Sequence, residues 1–339
     1  MRAAVFKERG RPLQIEQVAD PTPGPHDLIV RVRASGLCGT DLHLTEPGST
    51  LPLPSGAILG HELAGEIVAA GAAASFQVGE RIAVLPHLCC GEANPCRNQG
   101  RRFSCSRMLT LGLGTAPGGY AEYVRISEGA AHRLPASISF RHGALVEPLA
   151  VGRHAVELAR LPPNATVLVL GAGPVGLATV IFARLAGARH VIISEGVAYR
   201  RALALKLGAT AAVDPSQPLL PQLFDLAGEA PQVVFECVGA PGLLDLAMSA
   251  TAPGGKVVVV GVCQSRDSIR PLLGIARELC IQFALAYSAA DFDAVIALLP
   301  ASQLDLASLI TDVVDLDGLP AAFEALRTPT HQCKVIVEP

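Results

Sequence analysis

The feature that constrains the fold most is a glycine-rich turn between an apolar strand and a helix. The strand Val167-Leu-Val-Leu170 runs directly into Gly171-Ala-Gly-Pro-Val-Gly176, and a helical pattern then continues to Leu185. In such a turn the first glycine permits the sharp bend, the second lets a pyrophosphate approach the backbone, and the third lets helix and strand pack closely. This order of elements predicts a βαβ unit that binds a dinucleotide at the helix N-terminus.

An acidic residue at the end of the next strand indicates which dinucleotide is bound. Glu195 lies about 20 residues beyond the turn, where a carboxylate binds the ribose hydroxyls of NAD and repels the 2′-phosphate of NADP. We therefore expect NAD, although Arg200 at the start of the following helix could pair with a phosphate. The candidate cofactor residues are Gly171, Gly173, Pro174, Val175, Gly176, Glu195, Arg200, Val260, Gly261 and Val262.

The chain has two textures, and its 339 residues suit about two domains. Up to about residue 145, short alternating strands are separated by glycine and proline, which predicts an all-β, barrel-like domain. From about residue 165, apolar strands alternate with helical stretches rich in alanine and leucine, which predicts an α/β domain with a parallel sheet.

Charge and hydropathy exclude several classes of protein. The 27 Lys and Arg residues nearly balance 30 Asp and Glu residues without forming blocks, so we expect a small-molecule ligand rather than nucleic acid or a membrane surface. Leu161–Ala183 carries no charge, but prolines and glycines divide it into a strand and a helix, which argues against a membrane span. Charged residues among the first eight predict no secretory peptide and a cytoplasmic location.

Potential metal ligands occur in the predicted β domain and next to it. Cys38, His61, Glu62 and Glu147 are residue types that bind zinc, and a catalytic zinc needs about three protein ligands and one open position. Taken singly, each has an ordinary structural interpretation: a buried cysteine, a core histidine or a solvated acid. Spacing alone leaves both interpretations open.

Longer motifs make the metal interpretation more specific. Together with the glycine turn, they resemble the zinc-dependent medium-chain alcohol dehydrogenase family, and most of all its sorbitol and butanediol dehydrogenase branch. The motifs, in the family's order, are Gly36-Leu-Cys-Gly-Thr-Asp-Leu-His43, Gly60-His-Glu62, Gly118-Gly-Tyr-Ala-Glu-Tyr-Val124 and Glu147-Pro-Leu149. The resemblance implies a GroES-like catalytic domain at 1–148, a Rossmann domain at 149–286, and a segment at 287–339 that returns to the catalytic domain.

The resemblance also implies roles for individual residues. Cys38 and His61 match zinc ligands, and Glu62 and Glu147 match the acids that complete the ligand shell or exchange with water. Thr40 matches a hydroxyl that relays the proton, with His43 as its onward acceptor.

The implied reaction is hydride transfer between NAD(H) and a secondary alcohol or ketone by a zinc-dependent homodimer or homotetramer. The alternative is a polyol, vicinal diol or L-threonine dehydrogenase that uses the same zinc site. A zinc-free quinone reductase relative and a non-catalytic NAD-binding protein are less consistent with the four potential ligands.

The sequence departs from the family in two places. The lobe that holds a structural zinc in many relatives has Ala93 where a cysteine is expected, leaving Cys90, Cys96 and Cys105 with either Cys89 or His87 as a fourth ligand. We expect one zinc per subunit. In the sorbitol dehydrogenase branch, polar contacts to the substrate are implied at positions where this chain has Leu44 and Ala286, which favours a less polar secondary alcohol.

Overall fold

The computed structural model describes residues 1–88, 108–300 and 304–339, which fold into two compact units. The first unit contains Met1–Glu147 and Phe292–Pro339, and the second contains Pro148–Asp291. Both ends of the chain therefore belong to the same unit. Helices α3 (Val146–Ala159) and α9 (Ala289–Leu298) contain the two points at which the chain passes between the units.

The first unit consists mainly of short strands. Its helices are α1 (Gly39–Thr45), α2 (Phe140–Ala144) and α10 (Leu319–Ala325). Its strands are β1 (Arg2–Val5), β2 (Gln14–Gln17), β3 (Asp27–Gly36), β4 (Glu62–Ala70), β5 (Arg81–Val84), β6 (His87–Leu88), β7 (Leu109–Thr110), β8 (Tyr123–Ser127), β9 (Ala131–Arg133), β16 (Ile310–Val314) and β17 (Lys334–Val337).

A seven-stranded sheet organises this unit around β3. The strand order is β16-β17-β3-β4-β5-β9, and β8 also pairs with β3. All pairs are antiparallel except β16 with β17. Leu28, Val30 and Val32 on β3 are almost fully buried while Arg31 is exposed, the alternation expected of a strand with one face in a core.

The second unit alternates strands and helices. The strands are β10 (Thr166–Leu170), β11 (His190–Ser194), β12 (Ala211–Val213), β13 (Val233–Glu236), β14 (Lys256–Val259) and β15 (Cys280–Phe283). The helices between them are α4 (Pro174–Leu185), α5 (Ala198–Lys206), α6 (Leu219–Ala227), α7 (Leu243–Ala250) and α8 (Pro271–Arg277).

These strands form a six-stranded, fully parallel sheet with the order β12-β11-β10-β13-β14-β15. Every residue of β10 is buried, because helices cover both faces of a parallel sheet. The order reverses between β10 and β13, and ligands of such sheets bind at the carboxyl ends of the strands beside this reversal. The predicted combination of a Rossmann domain with a β domain is confirmed.

The uncharged stretch at 161–183 forms β10 and most of α4, as its prolines and glycines predict. Across the described ranges, no helix is both long and apolar enough to span a bilayer.

Candidate active site

Three potential metal ligands converge in the first unit. Cys38 lies between β3 and α1, while His61 and Glu62 lie at the start of β4. Because β3 and β4 are antiparallel and Gly36 pairs with Glu62, the end of one strand lies beside the start of the other. One ligand atom from each of the three residues lies within 4.8 Å of the other two.

The donor set of this group fits zinc. A thiolate, an imidazole and a carboxylate are all zinc ligands, and three protein ligands leave a fourth position for water or substrate. His61 and Glu62 are buried and Cys38 is half-buried. Glu147 is also buried, at the start of α3, but its carboxylate does not belong to the group of three. The structure therefore brings three of the four predicted ligands together.

Asp41, which the sequence analysis did not select, lies behind His61. Its carboxylate is fully buried, and Oδ1 lies 3.2 Å from Nδ1 of His61. Oδ2 accepts a 2.5 Å hydrogen bond from the hydroxyl of Tyr120 and a 3.3 Å bond from the backbone N–H of Cys38. With Nδ1 facing Asp41, the Nε2 atom of His61 is left for a metal. The sequence offers one indication of Asp41, because this acid lies three residues after Cys38 within the motif that ends at His43.

Burial and nearby charge oppose each other in setting the pKa of His61 but act together on the pKa of Tyr120. Burial alone would lower the pKa of His61, but the negative charges of Asp41 and Cys38 raise it well above its ordinary value. Burial, reinforced by Asp41, raises the pKa of Tyr120 well above that of a free phenol. Tyr120 therefore stays protonated and acts as a hydrogen-bond donor to Asp41.

Lys334, at the start of β17, completes the buried cluster. Its ammonium group donates to Oε1 and Oε2 of Glu62 at 2.7 and 2.6 Å and to the carbonyl of Leu37 at 2.8 Å. Burial alone would lower the pKa of Lys334, but the nearby acidic groups, Glu62 first among them, raise it. A Cβ added at Gly36 would lie 2.0 Å from Oε2 of Glu62, so this position must lack a side chain.

The predicted proton-relay residues lie on α1, next to the cluster. Thr40 and His43 are both half-buried, and Nδ1 of His43 lies 3.2 Å from a carboxylate oxygen of Glu46. Leu44 belongs to the hydrophobic core of the first unit and is only 4% exposed. The resemblance implies a substrate contact at position 44 in relatives, whereas here the side chain of Leu44 packs inward from the helix.

In the second unit, the glycine turn has the geometry that its sequence predicts. Gly171 has φ of +92°, and a Cβ at Gly176 would lie 2.0 Å from the carbonyl oxygen of Gly171. A Cβ at Gly173 would meet no atom within 4 Å, so this glycine borders open space that a ligand could fill. Gly173 caps α4, and Pro174 and Val175 form its first turn.

Glu195 lies directly after β11, beside this turn. Its Oε2 accepts a 2.8 Å hydrogen bond from the backbone N–H of Ala172, and Oε1 accepts one of the same length from Val197. Arg201, on α5, donates to the carbonyls of Glu195 and Gly196. Arg200 is half-buried on α5.

The remaining predicted residues are placed as follows. Val260, Gly261 and Val262 come directly after β14, at the carboxyl edge of the sheet. Of the predicted second zinc lobe, Cys89, Cys90, Cys96 and Cys105 lie outside the described residues, and His87 lies in β6. Ala286 is half-buried and has a left-handed φ of +48°.

Comparisons with family models match both units. Residues 24–136 match the alcohol dehydrogenase GroES-like domain, and residues 174–301 match the zinc-binding dehydrogenase domain.

Individual relatives extend over the whole chain. The sorbitol dehydrogenase of Bacillus subtilis (strain 168) is 30% identical over 345 aligned positions, which cover 100% of this chain and 97% of the relative. The crystal structure of 2R,3R-butanediol dehydrogenase from Bacillus subtilis has a TM-score of 0.90 at 30% identity. The match covers 100% of this chain and 99% of the butanediol dehydrogenase chain. A protein from Sinorhizobium meliloti 1021 assigned to the zinc-binding dehydrogenases, bound to NADP, has a TM-score of 0.89 at 33% identity, with 100% and 99% coverage.

Proposed function

This chain belongs to the zinc-dependent medium-chain alcohol dehydrogenase family, and we propose that it transfers a hydride between NAD(H) and a secondary alcohol or its ketone. The observation that carries the proposal is the convergence of Cys38, His61 and Glu62 within 4.8 Å, backed by the buried carboxylate of Asp41. The same chain carries the glycine turn with Glu195 beside it. Membership of an oxidoreductase family and this pair of sites support the same chemistry.

Cys38 and His61 would hold zinc, with Glu62 or Glu147 as the third ligand. When bound, zinc supplies Lewis acidity, which lowers the pKa of an alcohol or polarises a ketone. Asp41, 3.2 Å from Nδ1 of His61, orients the imidazole so that Nε2 would be available to the metal. Lys334 balances the charge of Glu62 and holds its carboxylate in place.

The proton released by alcohol oxidation needs a route to water. We assign its first acceptor to the hydroxyl of Thr40 and the next to His43, both half-buried on α1. A carboxylate oxygen of Glu46 lies 3.2 Å from Nδ1 of His43 and orients the imidazole on this helix.

We assign NAD, rather than NADP, as the cofactor. The carboxylate of Glu195 is fixed by the N–H groups of Ala172 and Val197, which holds it beside the turn that would bind the pyrophosphate. A fixed carboxylate there accepts hydrogen bonds from ribose hydroxyls and repels a 2′-phosphate. Because a relative is bound to NADP, activity has to be measured with both NAD and NADP.

A simple secondary alcohol remains the proposed substrate, with polyols, vicinal diols and L-threonine as the alternative. Ala286 is the residue that supports this assignment, since Leu44 lies in the core. A pocket without polar partners leaves extra hydroxyls desolvated, at a cost of roughly 1 to 3 kcal/mol each. Because relatives are named for sorbitol and for butanediol, the substrate test includes polyols and diols.

We also propose that the protein acts as a homo-oligomer in the cytoplasm. β15 is an edge strand, and Leu272, Ile275 and Phe283 near it are each more than 65% exposed, which suits contact with a second copy of the chain. Cys38 is a free thiol, as metal binding in a reducing compartment requires.

A metal analysis combined with a substrate panel tests the proposal. The purified protein should contain about one zinc per subunit, and Cys38→Ser should lose both zinc and turnover. Simple secondary alcohols should give a higher kcat/KM with NAD than diols, and diols a higher value than sorbitol. Full turnover by a metal-free Cys38→Ser protein would contradict the zinc mechanism, whereas sorbitol at the head of the series would contradict only the substrate assignment.

A further inference from the structure

A buried carboxylate lies in the second unit, outside the residues assigned above. Glu236 is the last residue of β13 and is only 3% exposed. Its Oε1 accepts hydrogen bonds of 2.8 Å from the backbone N–H groups of both Val238 and Gly239. The side chain thereby folds the loop that follows β13 back onto the end of its own strand.

The main chain of Glu236 binds the neighbouring loop as well. Its carbonyl accepts hydrogen bonds from the N–H groups of Val260 and Gly261, at 2.8 and 2.9 Å. These two residues begin the loop that follows β14. One residue therefore holds the first residues of two adjacent loops at the carboxyl edge of the sheet.

The two loops approach each other so closely that side chains are excluded between them. A Cβ added at Gly261 would lie 2.2 Å from the backbone nitrogen of Gly239 and 2.7 Å from Oε2 of Glu236. A Cβ added at Gly239 would lie 2.5 Å from the backbone nitrogen of Val262. Any shift of the Glu236 carboxylate would therefore move both loops.

The loop after β13 also contacts the glycine turn. The N–H of Cys237 donates to the carbonyl of Leu170, and Cγ2 of Val238 would lie 2.5 Å from a Cβ at Gly171. Glu236 thus fixes a loop that borders the predicted pyrophosphate site on the side opposite Glu195.

The strand order determines which part of a dinucleotide these loops face. Glu195 follows β11, on one side of β10, and would bind the adenosine ribose. The glycine turn after β10 would bind the pyrophosphate. The other half of the dinucleotide must then extend across the reversal of strand order, to the ends of β13 and β14.

We propose that Glu236 is a positioning residue for the nicotinamide half of the cofactor, acting through the loops after β13 and β14 that it holds together. The inference rests on the proposed function, because it assumes that a dinucleotide binds at the carboxyl edge of this sheet. The carboxylate acts as an acceptor for two N–H groups, and glutamine, which keeps an amide oxygen at the same place, can replace it in that role.

Two ligands that differ by the nicotinamide alone test the proposal. The affinities of NADH and ADP-ribose are measured by calorimetry on the full-length, metal-loaded protein, with NADPH and 2′-phospho-ADP-ribose as the pair if the wild type prefers NADPH. Glu236→Ala should weaken NADH binding by about tenfold or more, since two loop N–H groups lose their acceptor, and should weaken ADP-ribose binding by less than about threefold. Glu236→Gln should restore NADH binding to within about threefold of the wild type.

A matched control separates positioning from general loss of stability. Thr251 is fully buried between α7 and the start of β14, away from the carboxyl ends of the strands. Its hydroxyl donates to the carbonyl of Ala247. Thr251→Val removes a buried hydrogen bond from the same unit and should leave both affinities unchanged. If Glu236→Ala does not fold, Gly239→Ala provides the second test, because its Cβ would separate the loops and should also weaken NADH binding selectively.

Three results would overturn the inference: equal losses for the two ligands, no loss for either in a folded Glu236→Ala protein, or a Gln variant as weak as the Ala variant. Failure of the wild type to bind NADH or NADPH is a different result, which would contradict the proposed function instead.

Discussion

The ammonium group of Lys334 lies 2.6 and 2.7 Å from the two carboxylate oxygens of Glu62, and each side chain is only about 1% exposed. This ion pair engages the same carboxylate oxygens that Glu62 would use to bind a metal. Zinc bound to Glu62 would place further positive charge beside the ammonium group of Lys334, so Lys334 and zinc compete for the charge of Glu62. The stability of the metal-free protein and its affinity for zinc should therefore be linked through Lys334.

Replacement of Lys334 by methionine should reveal this link. Loss of one partner leaves the Glu62 charge buried and unpaired, which should lower the free energy of unfolding of the metal-free protein by about 3 kcal/mol or more. Zinc can then compensate the unpaired charge, so the gain in stability on zinc addition should be larger for Lys334→Met than for the wild type. Denaturant titrations with and without zinc measure both quantities.

The double variant Lys334→Met/Glu62→Gln is the matched control for that experiment. It removes both charges, so the metal-free protein should recover most of the lost stability, and the additional stabilisation by zinc should disappear. Equal stabilisation by zinc in the wild type and in Lys334→Met would contradict the competition between Lys334 and zinc.

Asp41 offers a second prediction, on the orientation of His61. Asp41→Asn keeps the size of the side chain but removes the charge that faces Nδ1, and zinc affinity should fall by about 10- to 100-fold. Tyr120→Phe removes one hydrogen bond to Asp41 and keeps its charge, so its effect should stay below about tenfold. Competition with a chelator gives the affinities. An effect of Tyr120→Phe as large as that of Asp41→Asn would show that packing, rather than the Asp41 charge, orients His61.

Local patterns in the sequence predicted the glycine turn, the parallel sheet and three convergent ligands. Gly171 and Gly176 identify the turn because their roles depend on neighbours a few residues away. Cys38, His61 and Glu62 were found because each lies inside a longer motif that resembles those of a known family.

The residues that the sequence did not indicate act through contacts between distant parts of the chain. Lys334 is separated from Glu62 by 272 residues, and its buried position results from the pairing of β17 with β3. Glu236 resembles any acid at the end of a strand until the loops after β13 and β14 are seen to meet around it. The inward position of Leu44 likewise depends on the packing of α1 against the core, which the local sequence does not show.

The cofactor preference provides a third prediction. Glu195→Ala should lower the ratio of kcat/KM with NAD to kcat/KM with NADP by about tenfold or more, because a charged hydrogen-bond acceptor for the ribose is lost and repulsion of the phosphate ends. Asp214→Ala is the control: this acid pairs with Arg201 nearby, 3.0 Å away, and has no assigned contact with the ribose. A wild-type protein that works better with NADP would show that arginine, and not Glu195, determines the preference.

The last prediction concerns the thiol of Cys237, which follows Glu236 and lies 3.9 Å from the hydroxyl of Thr179. Burial raises the pKa of Cys237 to about 12, and the charge of Glu236 adds to the increase. Because the thiolate is the reactive form, alkylation of Cys237 by iodoacetamide at pH 7 to 9 should be more than about tenfold slower than alkylation of Cys280, which is exposed on the edge strand β15. Peptide mapping by mass spectrometry resolves the two sites. Urea should abolish the difference, because unfolding returns both thiols to water. Cys237 is itself half-buried, so equal rates in the native protein would contradict the raised pKa of its thiol.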